Sequence, residues 1–154
     1  MKKGPNIKGN PLKISVYILI PCYLIGEFLF PKYSLIYLLN LIGIIGLILS
    51  TLLFFTGFDI FKSYGENPLP KSETKKIIKT GIFAYCRNPI YLAFILFHLS
   101  MFMTFENVAY FISFIGLFAW INTNVIPKEE YFLKEQFGDE YSRYQESVKK
   151  WMFF

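Results

Sequence analysis

Long apolar stretches alternate with short, crowded charged stretches along this chain. Four of the apolar stretches come close to the ~20 residues that an α-helix needs to cross the hydrocarbon core of a bilayer. They run over residues 12–30, 34–58, 90–105 and 108–126. The pattern predicts an all-α, polytopic membrane protein with about four transmembrane helices, folded as a single domain over residues 1–154.

A different pattern marks the tail over residues 128–154. Apolar and aromatic residues recur there at intervals of three and four, which places them on one helical face. They are Leu133, Phe137, Tyr141, Tyr144, Val148 and Trp151. Gly138 interrupts the series, and Asp139 can cap a new helix. The tail is therefore predicted to form a separate unit of two short helices against the bundle or the membrane interface.

Lysines and arginines lie on one side of the predicted spans. The N-terminal arm, the loop between the second and third spans, and the tail carry Lys2, Lys3, Lys8, Lys13, Lys62, Lys71, Lys75, Lys76, Lys79, Arg87, Lys128, Lys134, Arg143, Lys149 and Lys150. The opposite turns carry only Lys32. By the positive-inside rule, both termini are predicted to be cytosolic, at the inner membrane if the cell is prokaryotic.

The net charge of +5 follows from this placement. Basic residues that flank apolar spans orient the chain and contact anionic lipid headgroups. No nucleic-acid-binding motif accompanies them, so membrane lipids are the expected partners and nucleic acid is not.

His98 and the two cysteines give weaker signals. His98 lies in the middle of the third span, where an ionisable side chain suggests a function. No second ligand for a metal is evident, so a neutral histidine bonded to a neighbouring helix is favoured and no metal site is predicted. Cys22 and Cys86 fall in an apolar span and a basic stretch, which favours reduced thiols over a disulfide.

Two clusters of chemically useful residues flank the last two spans. The first, residues 81–91, reads Gly-Ile-Phe-Ala-Tyr-Cys-Arg-Asn-Pro-Ile-Tyr. The second begins with Glu129-Glu130-Tyr131-Phe132-Leu133 and continues with Phe137-Gly138-Asp139-Glu140-Tyr141 and Tyr144. Taken singly, Arg87 and Tyr91 could be interfacial anchors, and the two glutamates could be first-turn residues favoured by the helix dipole.

Together and in this order, the two motifs resemble the isoprenylcysteine carboxyl methyltransferase and phospholipid methyltransferase superfamily. The resemblance extends from Phe58 to Trp151. It implies an integral membrane enzyme that uses S-adenosyl-L-methionine to methylate a lipid-soluble or lipid-attached acceptor. It also implies a cofactor site formed by Lys75, Lys76, Ile77, Ile78, Phe83, Asn88, Pro89, Ile90, Tyr91 and Glu129.

The residue types suit this cofactor. Glutamates accept hydrogen bonds from its ammonium group or ribose hydroxyls, and the rings of Phe83, Tyr85 and Tyr91 can flank adenine or the sulfonium cation. Arg87 and Glu130 are the candidate catalytic residues, because an arginine can pair with the cofactor carboxylate or with an anionic substrate.

Some positions depart from the superfamily pattern. Phe83 replaces the usual Tyr, and Asn88 replaces His. Val125 occupies the place where eukaryotic isoprenylcysteine enzymes have a substrate-binding Arg, so a membrane lipid or another small amphiphile is the expected acceptor. The acceptor's identity, the methylated atom and the oligomeric state stay open.

Other interpretations also stay open. Membrane sterol reductases, which use NADPH, share a similar motif but carry an Arg-Asp pair in place of Glu129 and Glu130. A non-enzymatic small membrane protein with the same fold is the third possibility. Residues 122–124 fit either substrate contact or helix bridging. Tyr141 and Tyr144 fit either packing or closure over the cofactor.

Overall fold

A computed structural model describes residues 4–5, 7–30, 36–69 and 74–152. These parts of the chain are mostly helical and contain no strand, which confirms the all-α prediction. The helices are α1 (Pro11–Leu29), α2 (Tyr37–Ser63), α3 (Pro89–Phe105), α4 (Val108–Trp120), α5 (Ile126–Phe137) and α6 (Asp139–Ser147), with a 3₁₀ turn at Gly81–Ala84 and a π-helical segment at Ile121–Val125.

The helix bounds agree with the predicted spans within a few residues. The helix that begins at Val108 continues past its predicted end at residue 126, and α2 continues past its predicted end at residue 58 as far as Ser63, with Lys62 in its last turn. A cation at this end of a helix interacts favourably with the helix dipole. The turn predicted at residues 31–33 lies outside the described residues, as do residues 153–154 of the tail.

Among the described residues, two helices are long and apolar enough to cross a membrane. They are α2 and the continuous helix from Val108 to Phe137. The helices α1 and α3 are apolar but shorter; α3 has 17 residues, about 26 Å of helix against a hydrocarbon core of about 30 Å. These features support a membrane protein, and the number of crossings stays a prediction.

Small residues bring α2 close to α3. Gly43, Ser50 and Gly57 are the buried residues of α2, whereas many of its large apolar side chains face outward. A Cβ atom at Gly57 would lie 2.7 Å from Cγ1 of Ile90, and one at Gly43 would lie 2.7 Å from the backbone nitrogen of Thr104. Larger residues at either glycine would push the helices apart, as expected for small-residue packing in membranes.

The helices pack as a row in the order α2, α3, α4 and α1. A buried hydrogen-bond chain links three of them through His98. The Ser113 hydroxyl donates to the Tyr110 carbonyl at 2.7 Å, so it must accept from Nδ1–H of His98 at 2.8 Å. In a neutral ring, Nε2 of His98 then accepts from the Ser15 hydroxyl at 3.0 Å. The structure confirms that His98 is bonded to neighbouring helices, and a neutral ring satisfies both contacts.

The start of the tail differs from its prediction as a separate unit. Helices α4 and α5 form one continuous helix through the π-helical segment, in which the N–H of Ile126 donates to the Ile121 carbonyl five residues earlier. Pro127 supplies the physical reason. A proline ring in a regular α-helix clashes with the carbonyl four residues earlier, and a wider π turn makes room for it.

The second half of the tail follows the prediction more closely. Gly138 separates α5 from α6, with a φ of 53° that favours glycine. The predicted apolar face forms a cluster of Tyr141, Tyr144 and Val148 against Leu133 and Phe137. Trp151 is the exception, because it lies in the main core with Ile7 of the N-terminal arm. Both ends of the described chain therefore meet at one end of the bundle.

Candidate active site

A cleft opens at the end of the bundle where the two ends of the described chain meet. It contains about 1120 Å³ of empty space, part of it open to solvent. Its walls come from the N-terminal arm, the C-terminal end of α2, the N-terminal end of α3, the segment that leads into the 3₁₀ turn, and the tail. These ends of α2 and α3 are called their inner ends below. Every predicted site residue except Lys75 lines this cleft. Segments that are far apart in the sequence are thus brought to one place.

Glu129 and Tyr91 form the central polar contact of the cleft. The Tyr91 hydroxyl donates to Oε1 of Glu129 at 2.6 Å. Glu129 stands in the first turn of α5, beyond the apolar part of the long helix. Burial raises its pKa from 4.5 to about 7, while the hydrogen bond from Tyr91 acts in the opposite direction. The carboxyl group of Glu129 is therefore partly desolvated, and a cation bound in the cleft would favour its ionised form.

Arg87 and Glu130 pair with each other beside this contact. Nε and Nη2 of Arg87 donate to Oε1 of Glu130 at 3.1 and 2.8 Å. Nη1 donates to the carbonyls of Gln145 and Val148 at 2.9 and 2.5 Å. The side chains of Arg87 and Glu130 are only 11% and 18% exposed. These contacts use most of the five N–H donors of the guanidinium group.

Further hydrogen bonds join the turn before α3 to the tail. The backbone N–H of Arg87 donates to the Lys149 carbonyl at 3.0 Å, and Nδ2 of Asn88 donates to the Lys150 carbonyl at 3.1 Å. The Tyr144 hydroxyl donates to the Phe83 carbonyl at 2.7 Å. Burial raises the pKa of Tyr144, so this hydroxyl stays protonated. The residues of the first motif thus fix the tail over one side of the cleft.

Phe83 is held in place by the 3₁₀ turn. Gly81 begins this turn with a φ of 59°, which suits glycine. Phe83 is buried, and its ring meets Phe61 of α2 edge to face with centroids 5.4 Å apart. The cleft is therefore provided with an aromatic wall even though Phe83 lacks the hydroxyl of the usual Tyr.

Lys75 and Lys76 differ in their surroundings. The backbone N–H of Lys75 donates to both carboxylate oxygens of Glu66, at 3.0 and 3.1 Å. Glu66 is buried, so it holds the segment that carries Lys76, Ile77 and Ile78 into the cleft wall. Lys75 therefore supports the cleft through its backbone and does not line it.

Several cleft residues were not predicted. The N-terminal arm contributes Pro5, Asn10, Pro11 and Leu12, and the helices and the loop contribute Phe58, Phe61, Asn67, Pro68, Leu69, Thr74, Phe94, Phe132 and Leu133. The aromatic spacing of Phe58 and Phe61 could have indicated one wall, because both are at the inner end of α2. The arm carries no motif, and no signal in the sequence places it here.

Three other positions lie away from the cleft. Tyr85 is 73% exposed, so its ring does not flank the site. Asn122 accepts a hydrogen bond from Nζ of Lys150 at 3.5 Å, which joins the π-helical segment to the tail. Val125 is fully buried in the main core. Among the described residues, no three His, Cys, Asp or Glu side chains come together as a metal site.

Comparison with known proteins identifies the family of the chain. A profile of the family described as phospholipid methyltransferase matches residues 38–140, from the start of α2 into α6. The chain belongs to this family. Membership indicates a methyltransferase that acts on lipid-type substrates.

Two further comparisons add little to this assignment. An uncharacterized protein of Haemophilus influenzae is 33% identical over 63 residues, which cover 41% of this chain and the whole of that protein. No solved structure matches the chain.

Proposed function

We propose that this phospholipid methyltransferase family member is an integral membrane enzyme that transfers a methyl group from S-adenosyl-L-methionine to a lipid-soluble or lipid-attached acceptor. The observation that carries the proposal is the cleft in which Glu129, Tyr91 and Phe83 converge with the segment over residues 76–78. The cleft lies beside the inner ends of apolar helices, where a water-soluble cofactor and a membrane-borne acceptor can meet.

The chemistry of the cleft fits the charges of this cofactor. The desolvated carboxylate of Glu129 suits an ammonium group, and Lys76 supplies a cation for a carboxylate. The buried ring of Phe83 and the apolar side chains of Ile77 and Ile78 suit adenine. These residues would hold the cofactor.

S-adenosyl-L-methionine, when bound, supplies an electrophilic methyl group and leaves as a neutral thioether. The protein's contribution to such a transfer is alignment of the two reactants and exclusion of water. Tyr91 orients the Glu129 carboxylate through their hydrogen bond. The tail, fixed over the cleft by Arg87 and Tyr144, shields this region from solvent.

Arg87 and Glu130, predicted as catalytic residues, receive a different role in this proposal. Their mutual pair and the bonds from Arg87 to two tail carbonyls fix the first turn of α5 relative to the turn before α3. Glu129 is the neighbour of Glu130, so the pair also sets the direction of the Glu129 side chain. We therefore assign positioning roles to Arg87 and Glu130 and cofactor binding to Glu129.

The acceptor in this proposal is a membrane phospholipid or a similar amphiphile. An isoprenylcysteine carboxylate would need a cation in the cleft for recognition. Val125, at the place of the substrate-binding Arg of the eukaryotic isoprenylcysteine enzymes, is buried away from the cleft. The guanidinium group of Arg87 is engaged with Glu130 and the tail.

The proposed location is the membrane, crossed several times, with both termini in the cytosol. The lysine and arginine asymmetry supports this topology. Reporter fusions at Phe154 and at Lys32 are expected to report opposite compartments. A C-terminal fusion on the non-cytosolic side would contradict the topology and would put the cleft out of reach of a cytosolic cofactor.

Equilibrium binding to the detergent-purified protein tests the proposed function most directly. Isothermal titration with S-adenosylhomocysteine is expected to show one saturable site, and NADPH is expected to show none. Saturable binding of NADPH alone would favour a reductase. Absence of binding by both ligands to folded protein would favour a non-enzymatic role.

A transfer assay then tests the acceptor. Protein in phospholipid vesicles with methyl-labelled S-adenosyl-L-methionine is expected to label the lipid fraction, whereas farnesylcysteine analogues are expected to stay unlabelled. Efficient methylation of those analogues without labelling of lipid would overturn the acceptor assignment.

A further inference from the structure

The N-terminal arm, which comprises residues 4–5 and 7–10 together with the first two residues of α1, Pro11 and Leu12, belongs to the cleft although it lies outside the region that matches the family. The family match begins at residue 38. Nevertheless Pro5, Asn10, Pro11 and Leu12 line the cleft. Ile7 is only 2% exposed and packs in the main core with Trp151. This wall is therefore a part of the site that the family match does not specify.

Two sets of contacts fix the arm in this place. The side chain of Asn10 caps α1 by accepting from the N–H groups of Leu12 and Lys13 at 3.0 and 3.4 Å. One turn further along α1, the Ser15 hydroxyl bonds to His98 in the bundle interior. The arm is thus anchored to α3 through a buried polar contact, and Leu12 has a defined position.

The cleft has a polar side and an apolar side. Glu129, Glu130 and Lys76 mark the polar side. On the apolar side, Leu12 packs against the cluster that contains Tyr91 and Phe94. The ring of Phe94 stands next to that of Tyr91 on α3, with centroids 6.3 Å apart, and Phe58 of α2 also lines the cleft.

The apolar side lies between α1 and α2. These helices are the two ends of the packed row, and within the described residues they form no packed interface with each other. Their outward side chains are apolar, for example Val16 at 48% and Phe55 at 59% exposure. In a membrane such faces contact lipid. Two of the apolar side chains that line the cleft, Leu12 and Phe58, therefore belong to helices whose outer faces are apolar.

We propose that Leu12 of the N-terminal arm, with Phe58 and Phe94, holds an acyl chain of the phospholipid acceptor, so that the arm determines acceptor selectivity. This inference rests on the proposed function. The occupant is an acyl chain because the wall is apolar, includes residues of α1 and α2, whose outer faces are apolar, and belongs to a protein of a phospholipid-methylating family.

Photolabelling of the full-length protein tests the inference. The protein, saturated with S-adenosylhomocysteine, is placed in phosphatidylethanolamine vesicles that contain a phosphatidylethanolamine with a diazirine near the end of one acyl chain. We expect labelled peptides from the arm or from the inner ends of α2 and α3, in addition to the lipid-facing surfaces. Absence of label at all three cleft positions would overturn the proposal.

Two matched variants sharpen the test. Leu12→Trp fills the apolar side and is expected to reduce cleft labelling at least fivefold, with the affinity for S-adenosylhomocysteine changed less than twofold. Leu24→Trp alters the same helix at a side chain that is 51% exposed and is expected to leave cleft labelling unchanged. Equal cleft labelling in both variants would contradict the role of Leu12.

The smaller variant Leu12→Ala covers the case in which tryptophan disturbs folding. It is expected to leave cofactor affinity unchanged and to increase labelling of the Phe58 and Phe94 peptides about twofold. Unchanged labelling in Leu12→Ala would count against the proposal. If the unaltered protein does not bind S-adenosylhomocysteine, the proposed function itself is contradicted. Failure of the acyl-chain inference and failure of the proposed function are therefore distinguishable.

Discussion

Replacing Glu129 by Gln tests the assignment of the cofactor site most sharply. The substitution keeps the size of the side chain and an oxygen that can accept from Tyr91, whose hydroxyl lies 2.6 Å from the carboxylate. It removes the negative charge. The fold should therefore be retained while the attraction for the cofactor's ammonium group is lost.

The expected magnitude follows from the surroundings of Glu129. A charge-assisted hydrogen bond in a desolvated site contributes about 2–4 kcal/mol. We therefore expect the variant to bind S-adenosylhomocysteine roughly 30- to 1000-fold more weakly. Isothermal titration at pH 8 measures this, since the Glu129 carboxylate is then ionised with its pKa at about 7.

The pH dependence gives an independent readout. A carboxylate with a pKa of about 7 must lose its proton to bind a cation, so affinity should fall as the pH falls. Between pH 7 and 6 the loss should be about fivefold. The Glu129→Gln variant should show no such change over this range.

The same shift affects stability, with the opposite dependence on pH. Because the folded-state pKa of Glu129 is raised, the folded protein holds this proton more tightly than the unfolded chain does. Its contribution to the free energy of unfolding should therefore decrease as the pH rises from about 4.5 to about 7. Glu129→Gln should lack that part of the pH profile.

Glu135→Gln is the matched control, because Glu135 is on the same helix, is exposed and lies outside the cleft. It should bind S-adenosylhomocysteine like the unaltered protein. Near-native affinity of a well-folded Glu129→Gln protein at pH 8 would refute the assignment of Glu129 as a cofactor ligand.

Three further substitutions probe the surrounding contacts. Tyr91→Phe removes the hydrogen-bond donor that lowers the pKa of Glu129, so the midpoint of the binding pH profile should move upward and the binding free energy should weaken by about 1 kcal/mol. An unchanged profile would contradict this role of Tyr91. In Arg87→Lys, the lysine cannot reproduce the planar set of hydrogen bonds to Glu130 and the tail, so proteolysis of the tail should accelerate and the free energy of unfolding should fall by about 2–3 kcal/mol. A tail that is equally protected from proteolysis would argue against a positioning role. His98→Ala leaves a cavity and removes the hydrogen-bonded link between α1 and α3, which should lower stability by about 1–3 kcal/mol in thermal unfolding. An unchanged unfolding midpoint would contradict the proposed anchoring of α1.

The helices, and the convergence of the main polar residues of the candidate site, could be predicted from the sequence for physical reasons. Apolar runs reveal membrane helices because the bilayer imposes a length and a polarity on them. The order of the two motifs brought Tyr91 and Glu129 into one prediction, and the structure places them in contact. Gly138 ended its helix as expected, because a φ of 53° is readily adopted only by glycine.

Contacts between distant segments could not be predicted in this way. Arg87 was predicted to bind an anion, because arginine commonly does so. The residue type alone does not reveal which acceptor groups its N–H donors contact. In the structure they reach Glu130 and the Val148 carbonyl. The position of the N-terminal arm could not be predicted, because it depends on packing such as that of Ile7 in the main core. A single sequence contains no motif that identifies such packing partners.

The π-helical segment over residues 121–125 sets the direction in which the side chains of α5 point around the helix axis. Each residue of an α-helix turns the chain by about 100°, so one residue more or fewer redirects every later side chain by that angle. The direction of Glu129 toward Tyr91 therefore depends on the number of residues between α4 and α5 as much as on their identity. Substitutions within the segment should be tolerated where they fit, whereas a single-residue deletion should turn Glu129 away from the cleft and replace it there with a different side chain.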